Sequence, residues 1–414
     1  MQPNTMQPSN NRLLHLDVLR GFALLGILLV NFQLFTQPVL ASFLGLDAGL
    51  EGIHRATDMA ILWLAEGKFY PLFAMLFGAG FALMLERARE TGRSFWPAYL
   101  RRTLALGLFG IAHIALVWVG DILLLYSLCA LIAVLLFRRT PVQRLWKWGL
   151  VLIAIPMVLM WLYAASYGAA QMEPEAADKF RAGIEADREQ TLEMAAAAER
   201  IHIEGSYADN VRQRIQEYAN LAVYFSFQWV PMVLGFFLLG RWLVQSRRLT
   251  DIRHHESWLR RWRLWGLGLG LPVSAISTWL LYGADWMLPT TDVALGTTLL
   301  IIAGVLLPLG YLATVVLASE RLAFLAPAGR MALSNYLLQS IFWTLVFYGY
   351  GLGMWQEIDR GWHIPLALVF FALQVVFSHW WLKHFRFGPA EWLWRSFTYL
   401  KWQPFRRNGM AETG

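Results

Sequence analysis

Ten apolar runs dominate this chain, each close to the roughly 20 residues that a helix needs to cross a hydrocarbon layer of about 30 Å. They fall near residues 16–36, 59–85, 102–118, 121–137, 146–167, 221–243, 263–282, 293–318, 331–349 and 363–384. A soluble core has no room for so many. Of the 414 residues 57% are hydrophobic and only 15% charged, against about a quarter charged in soluble domains. The expected fold is all-α, a polytopic membrane protein of about ten transmembrane helices. The 21 Trp and 14 Tyr suit aromatic belts at two water interfaces. The single cysteine, Cys129, lies inside an apolar run, so a disulfide framework and a thiolate metal site are both excluded.

Charge sets the orientation. With the N-terminus inside, the inner segments hold Arg12, then Arg87, Arg89, Arg93, Arg101 and Arg102, and further clusters around Arg139, Arg248, Arg261 and Arg386. Together these are most of the chain's 35 Lys and Arg. Short outer loops keep only Arg55 and Arg360, and the long loop from Gly168 to Asn220 is net acidic. This is the bias of cytoplasmic loops, so both ends are expected inside. The formal net charge of +7 follows from insertion and points to membrane lipids as partners, not nucleic acid. Pro38 to Ser42 faintly resembles a signal-peptidase site, but Asp17 and Arg20 interrupt the preceding apolar core, and the segment is expected to stay as a first helix.

Four parts follow: residues 1–167 as an N-terminal five-helix half, 168–220 as an extracytoplasmic helical loop, 221–387 as a C-terminal five-helix half, and 388–414 as an interfacial amphipathic segment. The order allows two pseudo-symmetric halves, although no repeat is visible. Strong helix formers fill the long loop, as in Glu185 to Glu199. It is expected to be a solvated helical cap or, alternatively, a lid over an acceptor. Glu66, Gly67, Lys68 and Pro71 should break the second run. The third and fourth runs meet at Gly120 and form a tight hairpin.

Ionisable groups at membrane depth are costly and mark partners or function. Asp17 and Arg20, three apart on one helical face, form an ion pair that either locks the first helix or shapes a pocket mouth. Asn31 returns to nearly the same face, deeper in the membrane. His113 lies about 16 Å along its helix from Arg102, with Asp121 just across the turn. Histidine takes and returns protons near neutral pH, and a nearby carboxylate orients its ring; a helix–helix hydrogen bond is the structural alternative. Lys68 sits mid-membrane at the break, where it either serves a cavity or pairs with Glu66 or Asp58. The ninth run opens with Gly329, Arg330, Met331, then Asn335, Tyr336 and Gln339. Asn335 and Gln339 share a face and suit gluing to a neighbouring helix. No phosphate-binding loop, nucleophile elbow or zinc motif occurs, and no metal is expected.

Several of these stretches carry a resemblance. Leu16-Asp17-x-x-Arg20-Gly21 with Asn31, Lys68-Phe69 to Gly78, His113 to Leu123, Gly329 to Ser340, and Gly388-Pro389-x-Glu391-Trp392-x-Trp394-Arg395 resemble the YeiB-like bacterial membrane proteins, whose C-terminal part is a domain of unknown function. More distantly, the Asp-x-x-Arg-Gly opening and the late helix with Asn335 and Tyr336 are similar to transmembrane acyltransferases that include heparan-glucosaminide N-acetyltransferase. The late helix has Gln339 where such enzymes often have histidine, and after the first helix, where the heparan enzyme's implicated histidine lies, the chain offers only His54. The resemblance implies a multi-pass protein of the bacterial inner membrane. It also implies an acyl group passing from cytoplasmic acyl-CoA to a lipid, glycan or small-molecule acceptor outside. On that expectation His113 and Asp121 are catalytic, and Asn31 and Lys68 hold the oxyanion. Asp17, Arg20, Arg330, Asn335, Tyr336 and Gln339 then line the substrate site. A lipid or amphiphile transporter, or an assembly protein without chemistry, are the competing expectations, and a homo-oligomer is compatible with each.

Overall fold

The computed structural model describes residues 13–47, 49–92 and 94–407; Arg12 and Arg93 lie outside them. The chain is helical throughout, and among the described residues extended pairing is limited to an isolated bridge between Phe385 and Arg406. In order, the helices are α1 (Leu14–Phe35), α2 (Gly52–Leu64), α3 (Phe69–Glu90), α4 (Phe95–Leu116), α5 (Leu123–Phe137), α6 (Val142–Ala170), α7 (Pro174–Glu204) and α8 (Tyr207–Tyr224). They continue with α9 (Val230–Gln245), α10 (Glu256–Leu281), α11 (Thr291–Leu317), α12 (Ala326–Arg330), α13 (Ala332–Phe347), α14 (His363–His384) and α15 (Pro389–Tyr399).

Every expected run contains a helix. Among the described residues, seven helical segments are long and apolar enough to cross a membrane: Leu14–Phe35, Gly52–Glu90, Val142–Ala170, Phe227–Gln245, Glu256–Leu281, Thr291–Leu317 and Arg360–His384. The apolar α5 and α13 are shorter, 15 and 16 residues, and α4 carries Arg101 and Arg102 in its second turn. Burial is inverted relative to a soluble protein. Leu135, Leu264, Trp279 and Val376 are 67–73% exposed, an apolar surface that only lipid covers without penalty.

The second run breaks as its residues require. Gly67 adopts φ 75°, a left-handed conformation that glycine tolerates, and the Lys68 ammonium donates to the Leu62 carbonyl at 2.7 Å. That carbonyl belongs to the last turn of α2, where helix carbonyls lack intrahelical partners. The sixth run starts later than expected: α8 continues through a π-helical turn, Phe225–Trp229, before α9 begins.

The two halves share one core. α9 packs on α3, α5 and α6, while α1 touches α3, α11, α12, α13 and α14. Close approach sets these crossings: a Cβ at Gly78 would stand 1.9 Å from the Phe237 carbonyl oxygen, and one at Gly240 only 1.8 Å from that of Met75. Small residues allow this in lipid, where backbone proximity and not water exclusion drives helix association. Buried Arg241 closes the C-terminal end of α5 by donating to the carbonyls of Phe137 at 2.7 Å and Arg138 at 3.3 Å. The long loop forms α7 and α8, and Tyr207 at the start of α8 donates its hydroxyl to the Leu116 carbonyl at the end of α4.

Candidate active site

Residues 117–122 turn α4 back into α5, and that turn assembles the centre of the site. His113 Nδ1 and Asp121 Oδ2 are 2.9 Å apart, with both side chains wholly buried. The second carboxylate oxygen of Asp121 accepts the Leu124 amide at 2.8 Å, so the same side chain caps the first turn of α5. Gly110 makes room, since a Cβ there would lie 2.4 Å from the Leu124 nitrogen and 2.9 Å from Asp121 Oδ1. A carboxylate that accepts both bonds places the proton of a neutral imidazole on Nδ1, which leaves a lone pair on Nε2. Among the described residues Nε2 has no hydrogen-bond partner.

Aromatic rings enclose the imidazole. Tyr336 of α13 lies over it, ring centroids 5.2 Å apart, and its hydroxyl donates to the Gly120 carbonyl at 3.3 Å. Trp118 stands edge-on at 6.4 Å and packs on Phe35 at 4.4 Å; its buried indole N–H also lacks a partner among the described residues. Further along α13, Ser340 Oγ and Trp343 Nε1 are buried without partners there too. So are both ring nitrogens of His363, whose ring lies 5.0 Å from Phe32, itself 4.4 Å from Trp343. Positions 336, 340 and 343 share one helical face, so partnerless polar atoms follow α13 from the level of His113 to the start of α14.

The other candidate residues fall into separate groups. Asp17 and Arg20 pair at 3.0 Å on the stretch of α1 that meets α12, where a Cβ at Gly329 would strike the Asp17 carbonyl at 1.8 Å. Arg330 ends α12 beside them. Asn335 donates to the Ala328 carbonyl and Ser378 Oγ, and Gln339 to Gln374 Oε1 at 2.9 Å, while Gln374 returns a bond to the Asn335 carbonyl. These amides stitch α13 to α14, the gluing role expected of them. Asn31 is half-buried; the buried amide of that turn is Gln33, which donates to Asp58 at 2.8 Å. Neither Asn31 nor Lys68 hydrogen-bonds His113 or Asp121 among the described residues. Asp58 takes Arg360 at 2.6 Å, and among the described residues no hydrogen bond joins Lys68 to Asp58 or Glu66, its ammonium going to the Leu62 carbonyl.

Concavities open elsewhere on the surface. One of about 510 Å³ lies among Tyr167, Arg181, Arg188 and Asp285. An apolar groove of about 560 Å³ runs between Ala105, Leu108 and Ala112 of α4 and Leu393, Phe397 and Lys401 at the other wall. Neither includes His113 in its lining.

Comparison with known proteins agrees with the motif pattern. The chain is 34% identical to "Uncharacterized protein YxaH" of Bacillus subtilis over 98% of its own length and 99% of that protein. It is 31% identical to "Uncharacterized protein YeiB" of Escherichia coli over 92% and 95%. The chain belongs to the YeiB-like family. A 39.9 kDa protein encoded beside an amylase in Bacillus acidopullulyticus is 26% identical over 93% of each. Residues 243–401 match the family model described as a protein of unknown function (DUF418), and no solved structure matches.

Two YeiB-like motifs gain a physical role that their sequence did not reveal. Glu391, in the Gly-Pro-x-Glu-Trp stretch, accepts the Leu333 and Ser334 amides at 2.7 and 3.1 Å and the Ser334 hydroxyl at 2.5 Å, capping α13 from another helix. Trp394 donates to the Arg102 carbonyl, and the Arg102 guanidinium lies 3.7 Å over its ring. α15 thus docks on α4 and holds α13. Sequence reasoning also passed over the Gln33–Asp58–Arg360 bridge and the buried Arg214 and Glu217 of α8.

Proposed function

We propose that this YeiB-like protein is a transmembrane acyltransferase of the bacterial inner membrane. Ten spans, α1, α2–α3, α4, α5, α6, α9, α10, α11, α13 and α14, leave both ends in the cytoplasm and put α7 and α8 outside. Acyl-CoA is the donor, and a hydroxyl or amine on a lipid, glycan or small molecule is the acceptor. One observation carries this reading: a fully buried imidazole whose Nδ1 is held by a carboxylate while Nε2 is free to take a proton. General-base catalysis needs that arrangement.

In the proposed reaction Nε2 accepts the proton of the acceptor O–H or N–H as that atom bonds to the thioester carbonyl carbon. The tetrahedral intermediate collapses by breaking the C–S bond, and the departing coenzyme A thiolate takes the proton back from Nε2. Asp121 stabilises the imidazolium formed between the two steps. Trp118 Nε1–H, partnerless and at the rim of the imidazole, is better placed to donate to the oxyanion than Lys68 or Asn31. Asp17 and Arg20 remain assigned to the inner mouth. A transporter would also use buried polar groups, but it does not require a carboxylate fixing one tautomer of a histidine.

The test is acyl transfer from labelled acyl-CoA in proteoliposomes. His113→Ala is expected to abolish transfer, and Asp121→Asn to lower kcat by about 10² or more with little change in KM, since general-base catalysis contributes roughly 10²–10⁴. Unchanged product from folded His113→Ala protein would end the proposal.

A further inference from the structure

Helix α8 buries two opposite charges that do not meet. Arg214 and Glu217 are three residues apart, a spacing that places side chains on one face, and both are 0% exposed. No ion pair joins them among the described residues. Arg214 gives Nη2 to the Tyr350 hydroxyl at 2.7 Å, but its Nε and Nη1 have no hydrogen-bond partner there, and neither does either carboxylate oxygen of Glu217. Val39 and Leu40 face that carboxylate with their amides, outside hydrogen-bond geometry. Three rings, Tyr207, Tyr348 and Tyr350, stand 5.5–5.8 Å from the guanidinium.

Burying one charge with open hydrogen-bonding capacity is costly, and burying two of opposite sign without contact is costlier still. Packing alone would bring them together, because an arginine and a glutamate at this spacing reach each other readily. The arrangement is economical if a third body stands between them. That body must offer acceptors to Arg214, which has three N–H groups to give, and donors to Glu217.

We infer that Arg214 and Glu217 form a binding subsite for a small zwitterion, with its carboxylate or phosphate on Arg214 and its ammonium on Glu217. A short carbon chain between the two groups, as in phosphoethanolamine or an amino acid, suits side chains three residues apart on one helical face. The tyrosines wall the site and favour a cationic guanidinium that stays ordered. Burial pushes the Glu217 carboxyl up to about 7, so an ammonium beside it restores the charged form. Location connects the subsite to the His113 centre. Tyr218, the next residue, senses the Asp121 charge, and Tyr207 is bonded to the end of α4 that carries His113. On the acyl-transfer reading, and only on it, the zwitterion is the acceptor.

Binding to the full chain in nanodiscs tests this without any acyl donor. Soluble phosphoethanolamine is titrated by calorimetry, with inorganic phosphate as a second probe. Phosphatidylethanolamine enrichment over phosphatidylglycerol is read by native mass spectrometry. Saturable phosphoethanolamine binding identifies a free zwitterion as ligand, and selective lipid retention identifies a headgroup. Arg214→Gln is expected to weaken both probes about tenfold or more, the loss that accompanies a charge-assisted hydrogen bond. Glu217→Gln should weaken phosphoethanolamine by a similar factor and leave phosphate unchanged. If Arg214→Gln does not fold, Glu217→Gln decides alone, because the amide keeps the carboxylate's shape. Absence of both soluble binding and lipid selectivity, or a Glu217→Gln protein that binds like the parent, overturns the inference. His113→Ala should retain binding while losing transfer, so failure of the subsite and failure of the catalytic reading are separable.

Discussion

Glu391 shows how much one side chain can organise at a distance. Its carboxylate serves two amides and a hydroxyl at the start of α13, the helix that also lays Tyr336 over His113. Glu391→Ala leaves those donors without an acceptor and should cost about 2 kcal/mol or more, since helix caps contribute about 1 and bonds to charged groups roughly 1.5–3. Glu391→Gln, which keeps one acceptor oxygen, should lose less. Thermal unfolding in detergent measures both, and an alanine variant as stable as the parent would refute the cap. The motif was visible in the sequence but not its purpose, because its partners lie 57 and 58 residues away. His113 and Asp121 were legible for the opposite reason: eight residues and one turn separate them. Arg360, 302 residues from Asp58, looked like ordinary outer-loop charge, and Asp58 like a partner for Lys68.

Among elements, the pair α7 and α8 departs furthest from its appearance in sequence. Its charge-laced composition predicted a solvated face, yet His202, Asn210, Arg214 and Glu217 are all buried. His202 bonds Asn210 at 2.8 Å and stacks on Tyr348 at 4.4 Å. Periodicity could not separate buried from exposed charge, because α13's end and the tyrosines that receive these groups come more than a hundred residues later. Burial lowers the His202 pKa from 6.5 to about 4 and raises that of Glu217 from 4.5 to about 7. Between pH 4 and 6.5 the unfolded cap binds more protons at His202 than the folded cap does, so that residue makes stability rise with pH. Between 4.5 and 7 the folded cap binds more at Glu217, which makes stability fall. The two slopes oppose each other over pH 4.5–6.5. His202→Gln is therefore expected to expose a loss of cap protection from pH 5 to 7, and Glu217→Gln a gain from pH 4.5 to 6.5. Hydrogen exchange over α7 and α8 follows both, and identical profiles in the two variants would contradict the assignment.

For the whole molecule, the run pattern anticipated a helix at every expected position and the break of the second run, which falls at Gly67. It did not anticipate the π-helical turn that delays the sixth. The proposed orientation is open to a direct check. Cys129 is buried, so Glu193→Cys on α7 and Ser257→Cys on α10, both exposed positions, report by themselves. An impermeant maleimide should label position 193 in intact cells and position 257 only after permeabilisation; the reverse pattern would invert the topology. The α4–α5 hairpin has a consequence for biogenesis. Because both partners of the imidazole–carboxylate pair sit in one hairpin, the pair is complete as soon as that hairpin leaves the translocon. Tyr336, which covers it, is synthesised 216 residues after the Gly120 carbonyl that it bonds. The nascent chain therefore carries a finished imidazole–carboxylate pair through most of its own synthesis, and that pair is covered only when α13 arrives.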